Sequence, residues 1–299
     1  MRINAINKTK KACFSNLPKL FENILLVGKR MSECIIIVLQ GGLGNQLFQY
    51  AAGLAITSHL GGELWLTPAR ENTHSEVDYR HNMIRAKAIG IDGNPAGNAT
   101  FNQQSGAYDK WSPSDFAGYP SIALKGYYQY LPAIESQISL IRADFFQCLS
   151  QIRNTLRQKY HLQNPRQTCF IHVRRGDYLN QKSDQLCVQD MKYYLPALHA
   201  IKQRTSGPRR WMVVSDDIAW CRMQPLLSVS PFEIADEPDE FHGLMLMSMC
   251  EGGAIIANST FSWWGAMLGC GSQGVPVVYP SKWFADLPPD LFPMNWIRV

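Results

Sequence analysis

Four stretches of the chain gather side chains able to handle charge, hydroxyls or a flat ring. The densest is His172-Val173-Arg174-Arg175-Gly176-Asp177-Tyr178, at the end of the apolar run Thr168–Val173. An arginine at a strand end can fork onto two oxygens of a phosphate, which a single ammonium cannot do. An exposed Arg–Asp pair in a plain turn would be worth little. Here, however, His172, Arg174, Arg175, Asp177 and Tyr178 crowd one strand end, and loops on a rigid scaffold are where binding residues concentrate. A second stretch, Asn258-Ser259-Thr260-Phe261-Ser262, lies between the apolar run 254–257 and a helical segment carrying Trp263 and Trp264. Hydroxyls and backbone N–H groups at a helix start make an anion site. Phe261 can lie against a flat base, while the two tryptophans read as core.

The third stretch is Gly41-Gly42-Leu43-Gly44-Asn45-Gln46, behind the apolar run 35–39. It begins like a dinucleotide fingerprint and then departs from it. Leu47 stands where the third glycine should be, and Glu63 opens the second strand instead of ending it. What remains is a tight turn at Gly42 and Gly44 that lets something approach the backbone. Asn45 and Gln46 then offer neutral amides suited to a hydroxyl-rich ligand such as a sugar; the plainer reading makes Asn45 a helix N-cap. The fourth stretch, Ser215-Asp216-Asp217, ends another apolar run. An acid pair there could hold a divalent metal on a diphosphate. The preferred reading is a helix start with Ser215 or Asp216 as cap and Asp217 in the first turn, one acid orienting a ligand or loop.

The elements that must position these stretches alternate. Strands are expected at 35–39, 63–67, 121–127, 168–173, 210–215, 233–235, 254–257 and 275–279. Helices are expected at 46–60, 132–157, 192–204, 240–249 and 263–268, with 70–120 read as loops and small helices. Strand alternating with helix implies parallel sheet covered on both faces. The series restarts near residue 160. The expected fold is therefore α/β, with two Rossmann-like domains facing a cleft, spanning 32–160 and 161–299, and ligands just past the carboxyl ends of strands. Together the stretches imply an enzyme that binds a nucleotide-diphosphate compound such as a sugar nucleotide, its leaving diphosphate held by arginine and helix-end donors without a metal.

Composition sets the limits. The chain has 299 residues, 46% hydrophobic and 18% charged, with a formal charge of +5. Residues 1–30 hold seven Lys and Arg against Glu22 alone, so the remainder is near neutral and gives no support to nucleic-acid binding. The basic segment 1–31 reads as a disordered extension or the product of an upstream start, with a peripheral membrane contact as the alternative. Its apolar run 24–27 is too short to span a bilayer. Eight cysteines without a C-x-x-C pair fit a reducing cytoplasm, with no disulfide or zinc site.

The motifs GGLGNQLFQYA, HVRRGDY, VVSDD followed by WC, IIANSTFSWWGA and VVYPSKWF resemble the signature set of the α-1,2-fucosyltransferases of glycosyltransferase family 11, over about residues 35–299. The resemblance implies a GT-B-like fold and inversion at the anomeric carbon. It implies GDP-L-fucose as co-substrate, no further cofactor or metal, and a β-galactoside acceptor fucosylated at its 2-hydroxyl. It gives Arg174 the β-phosphate and His172 the nucleotide. Ser259, Thr260 and Phe261, within the donor loop 258–262, line the phosphate and guanine end, and Asn45 sits between donor and acceptor, beside Gln46. Arg175, Gly42 and Gly44 count on the donor side. Asp177 and His172 are the candidate bases. The chain departs from the pattern at Tyr128 and Tyr130 of Gly126-Tyr127-Tyr128-Gln129-Tyr130 and at Gly243, which leaves acceptor contacts and a guanine contact unassigned. Transfer to a protein or another sugar hydroxyl, and a non-catalytic glycan-binding module, are the alternatives. A cytoplasmic enzyme visiting lipid-linked glycans at the inner membrane face fits these expectations.

Overall fold

The computed structural model describes residues 34–68, 79–88, 99–103, 109–180, 187–206, 209–227, 230–237, 239–271, 274–284 and 290–299. The basic segment 1–31 and most of 70–98 lie outside them.

β1 (Cys34–Leu39) is an apolar, β-branched run with Ile35, Ile36 and Ile37 all buried, so both its faces are covered. It lies at the centre of a parallel sheet with β2 (Glu63–Pro68), β3 (Lys87–Ala88), β4 (Ala99–Asn102) and β5 (Ser121–Lys125), in the order β3-β2-β1-β5-β4. The long helix α1 (Leu43–Leu60) returns the chain from β1 to β2 and ends at Gly61. It begins at Leu43 with Gly42 as N-cap, so Asn45 lies in its first turn and is not a cap. β3 and β4 fall in the region read as loops; they are short edge strands with little apolar signal.

The link to the second sheet is helical but broken. α2 (Leu131–Ile134), α3 (Ile138–Cys148) and α4 (Ser150–Lys159) replace the single helix expected over 132–157. The second sheet is again parallel. Its strands are β6 (Thr168–Val173), β7 (Arg210–Ser215), β8 (Phe232–Ile234), β9 (Ala254–Ile255), β10 (Val277–Tyr279) and β11 (Ile297–Arg298), in the order β11-β10-β9-β6-β7-β8. The helices after its strands are α5 (Gly176–Asn180), α6 (Met191–Arg204), α7 (Ile218–Met223), α8 (Glu240–Ser248) and α9 (Thr260–Ala266).

Both sheets reverse their strand order beside their first strand: between β1 and β5, and between β6 and β9. Such switch points open a crevice at the carboxyl ends of the strands. The halves share a core. Phe48 of α1 packs against Trp263 and Trp264 of α9, with ring centroids 4.6 and 5.2 Å apart, and both tryptophans are fully buried. α4 packs on α8, and Lys159 Nζ and Tyr160 Oη both donate to Glu237 beyond β8. Among the described residues no helix is long and apolar enough to cross a membrane.

Candidate functional site

Three of the four stretches picked out in the sequence lie at the two switch points, and the fourth, after β7, joins the turn after β6 through Asp216. In the second sheet, the turn after β6 carries His172, Arg174, Arg175 and Asp177, and the turn after β9 carries residues 258–262. Tyr178 Oη donates to the Asn258 carbonyl at 2.9 Å, and the His172 and Phe261 rings stand 5.6 Å apart, so the two turns form one unit.

Arg174 is the charged centre. Its Nη2 lies 2.8 Å from Asp177 Oδ1 and its Nη1 lies 3.0 Å from Asp216 Oδ2. The two partners are not alike. Asp177 is 42% exposed; Asp216 is 24% exposed and also accepts the Arg175 backbone N–H at 2.8 Å. Arg175 is engaged by the start of α7. Its Nε pairs with Asp217 Oδ2 at 3.1 Å and its guanidinium lies 4.3 Å over the Trp220 ring. Arg175 therefore braces the loop, where the sequence had put it on the donor. Asp217 itself is the N-cap of α7, its Oδ1 accepting from Trp220 N–H at 2.9 Å, and Ser215 Oγ accepts from Asp217 N–H at 2.9 Å. The cap thus falls one or two residues later than expected, and Asp216 is the acid that orients Arg174. Two guanidiniums here face three carboxylates.

His172 is 2% exposed. Burial, with the nearby charge of Arg174 adding, pushes its pKa down to about 3, so the ring is neutral at physiological pH. Among the described residues its Nδ1 is buried without a hydrogen-bond partner, as is Asn258 Oδ1; Asn258 Nδ2 donates to the Trp283 carbonyl at 2.9 Å. Burial also holds the Tyr178 phenol protonated. Ser259 caps α9 from an extended conformation with no side-chain cap bond. Ser262 is buried, and its hydroxyl donates to the Ala257 and Ser259 carbonyls, so it shapes the loop from behind. Phe261 is half-buried. Gly243 of α8 lies beside it, where a Cβ would stand 3.4 Å from the ring tip.

In the first sheet the glycine turn plays two parts. A Cβ on Gly44 would lie 2.6 Å from the Thr260 carbonyl carbon and closer still to Phe261 N. The start of α9 therefore packs directly on the Gly44 backbone. Around Gly42 there is open space within 4 Å. Gln46, also expected at the ligand, is buried and donates to the Gly41 carbonyl at 2.8 Å, closing the turn. Asn45 remains at the crevice, half-buried. Its Oδ1 accepts from Thr260 Oγ1 across the two halves and from Gln129 Nε2 beyond β5, both at 3.0 Å. The Thr260 hydroxyl thus donates across the crevice to Asn45. Gln129 lies in the stretch 126–130 that the sequence tied to the acceptor, but its own role appears only once β5 is placed beside β1. Among the described residues no cluster of three or more His, Cys, Asp or Glu is arranged to hold a metal ion.

Two Rossmann-like halves with residues of both switch points meeting across them make this a GT-B-like α/β protein. The family model described as glycosyl transferase family 11 matches residues 10–299, reaching into the basic segment that the motifs alone did not cover. The chain belongs to glycosyltransferase family 11 and is a glycosyltransferase. It is 34% identical to the Escherichia coli O-antigen biosynthesis glycosyltransferase WbnK over 44% of each chain, so that match spans less than half of the relative's length. It is 25% identical to an Escherichia coli alpha-1,2-colitosyltransferase over 89% of this chain and 98% of the relative. It is 27% identical to the mouse galactoside 2-alpha-L-fucosyltransferase Sec1 over 78% of this chain and 63% of the relative. The solved structure of the Bradyrhizobium fucosyltransferase NodZ shares the fold, with a TM-score of 0.53 at 13% identity over 80% of this chain and 94% of that one.

Proposed function

We propose that the chain transfers L-fucose from GDP-L-fucose to the 2-hydroxyl of a β-linked galactose residue, with inversion and without a metal. The observation that carries the reading is Arg174: a guanidinium at the β6–β9 switch point, paired with Asp216, which the Arg175 backbone N–H also ties down, and with the more exposed Asp177. The β-phosphate of the donor displaces Asp177 from Nη2, while Asp216 keeps Nη1 in place. The fork then stabilises the diphosphate as the bond to C1 breaks. Phe261 covers the base. With bond breaking ahead of bond making, the attacking hydroxyl becomes acidic late, and a carboxylate suffices as base. Asp177, exposed and released by the phosphate, is the accessible candidate; His172 is neutral but buried behind the Arg174 turn.

A second donor has specific support, because the relative matched over nearly its whole length is named for colitose, which is fucose without its 3-hydroxyl. The O-antigen relative supports a surface-polysaccharide glycan as acceptor; its galactose terminus, and its lipid-linked form at the cytoplasmic membrane face, belong to the proposal itself. The test is to incubate the protein with lactose and GDP-fucose or GDP-colitose in excess EDTA, then measure GDP release and product linkage. An α-1,2-fucosylated product in EDTA supports the full reading. Faster turnover of GDP-colitose moves the donor, and a different linkage moves the acceptor hydroxyl. Absence of both GDP release and GDP binding overturns the reading.

A further inference from the structure

The Asn45 amide is framed on every side. Its Oδ1 takes two hydrogen bonds, from Gln129 Nε2 and Thr260 Oγ1 at 3.0 Å each, which fills both lone pairs of a carbonyl oxygen. Gln129 is 5% exposed, so it has little room to turn elsewhere. The Asn45 Nδ2 end lies over Gly41, where a Cβ would come within 2.7 Å of it and 3.3 Å of Tyr127 Cε1; Gly41 holds a φ of +75°. A side chain at 41 would therefore push the amide aside as well as strain the turn. Among the described residues no acceptor receives the Nδ2 hydrogens, and Asn45 is only half-buried.

An asparagine left free can present either its oxygen or its nitrogen. Here two donors converge on the oxygen, so the outward group is the NH2. We propose that Gln129 is a positioning residue which, with Thr260, fixes the Asn45 amide so that it meets sugar oxygens only as a donor. Resting on the sugar-transfer reading of this crevice, the proposal gives the turn after β5 a part in specificity. The sugar oxygen at Asn45 must be an acceptor, a hydroxyl lone pair or a ring oxygen. A hydroxyl that has to donate its hydrogen at this point is excluded. Because Thr260 begins α9 of the second half and Gln129 lies in the turn after β5 of the first, Asn45 is set correctly only when the two halves are in register.

Two substitutions separate positioning from packing. Gln129→Leu removes the donor but keeps the bulk; Gln129→Glu keeps the shape but presents oxygens to Asn45 Oδ1. Positioning predicts that Gln129→Glu is the worse of the two in kcat, with at least a tenfold loss, because it turns the amide round. Gln129→Leu should lose about threefold or more. In both, GDP affinity should stay within twofold of wild type. A packing role predicts the reverse order, with the isosteric Glu milder than Leu. The second readout is independent of turnover: the side-chain NH2 resonances of 15N-labelled Asn45, assigned with Asn45→Asp, should move in both variants. Unchanged kcat in both variants, or a loss that follows GDP affinity, overturns the proposal, as do unmoved Asn45 resonances. If the wild type transfers no sugar, the functional reading fails, and the resonances alone decide the positioning.

Discussion

The turn after β1 and the turn after β6 occupy the same place in their two sheets, beside the switch point, yet they are built from opposite materials. The first is neutral. Gln46 closes it onto the Gly41 carbonyl, Gly44 lets the start of α9 against its backbone, and Asn45 is held by two uncharged donors. The second is charged throughout, with Arg174 and Arg175 set among Asp177, Asp216 and Asp217. A neutral turn packed against backbone holds one shape and presents one amide. A charged turn can exchange partners, because an incoming phosphate replaces a carboxylate with little net change in the field at the guanidinium. In the proposed function one turn therefore fixes geometry and the other receives the ligand's charge.

The sharpest way to break that contrast is at the charged turn. Arg174→Lys keeps the charge but cannot span Asp216 and a phosphate oxygen together, so kcat should fall about 100-fold or more while the protein folds normally. A fully active Arg174→Lys enzyme would remove Arg174 from the chemistry. At the neutral turn the expected damage is to the fold. Gly44→Ala meets the backbone of Thr260 and Phe261, which cannot rotate away, and should cost about 1–3 kcal/mol of stability, read by thermal or denaturant unfolding. Gly42→Ala, with open space around it, should leave stability unchanged and raise the KM for donor if this face meets the ligand.

The same contrast decides what the sequence could reveal. Charged and hydroxyl residues behind apolar runs announced the switch point of the second sheet, because strand, turn and helix each left a periodic signal. Asp216 and Asn258 were visible for that reason. At the first sheet the visible residues were the glycines and amides, but their work was not. Whether Gly44 faces a ligand or another helix depends on how the two halves pack, which no local pattern records. The stretch holding Gln129 was visible, but its pairing with Asn45 was not, because that partner is 84 residues away. β3 and β4 were missed because edge strands this short lack an apolar run. The broken link over 131–159 read as one helix because its apolar spacing carries on through a turn at Leu149.

Burial of His172 ties stability to pH. Its folded pKa of about 3 lies below the unfolded value of about 6.5, so the unfolded chain binds a proton that the folded one refuses. The stabilisation from a neutral ring is complete above about pH 6.5 and is lost as pH falls toward 3, at up to about 1.4 kcal/mol per pH unit. Unfolding midpoints measured from pH 7 to 5 should fall, and His172→Gln should flatten that slope. If the slope is the same in both proteins, His172 is not the group responsible. In the pH profile of kcat/KM, the buried neutral ring should give no inflection near 6.5.

The smallest effect expected is at the edge of the charged turn. Asp217 does two things: its Oδ1 caps α7 and its Oδ2 holds Arg175. Asn is as good a cap as Asp but brings no charge. Asp217→Asn should therefore cost only a few tenths of a kcal/mol, the worth of a partly exposed ion pair. Asp217→Ala loses the cap as well and should cost about 1 kcal/mol. If both variants cost the same, the ion pair to Arg175 and not the cap is what Asp217 contributes. The charged turn would then depend on its outer carboxylate as much as on Asp216. If neither variant changes kcat, the exchange of partners at Arg174 proceeds without help from Arg175, and the ligand-receiving part of the turn narrows to Arg174, Asp177 and Asp216.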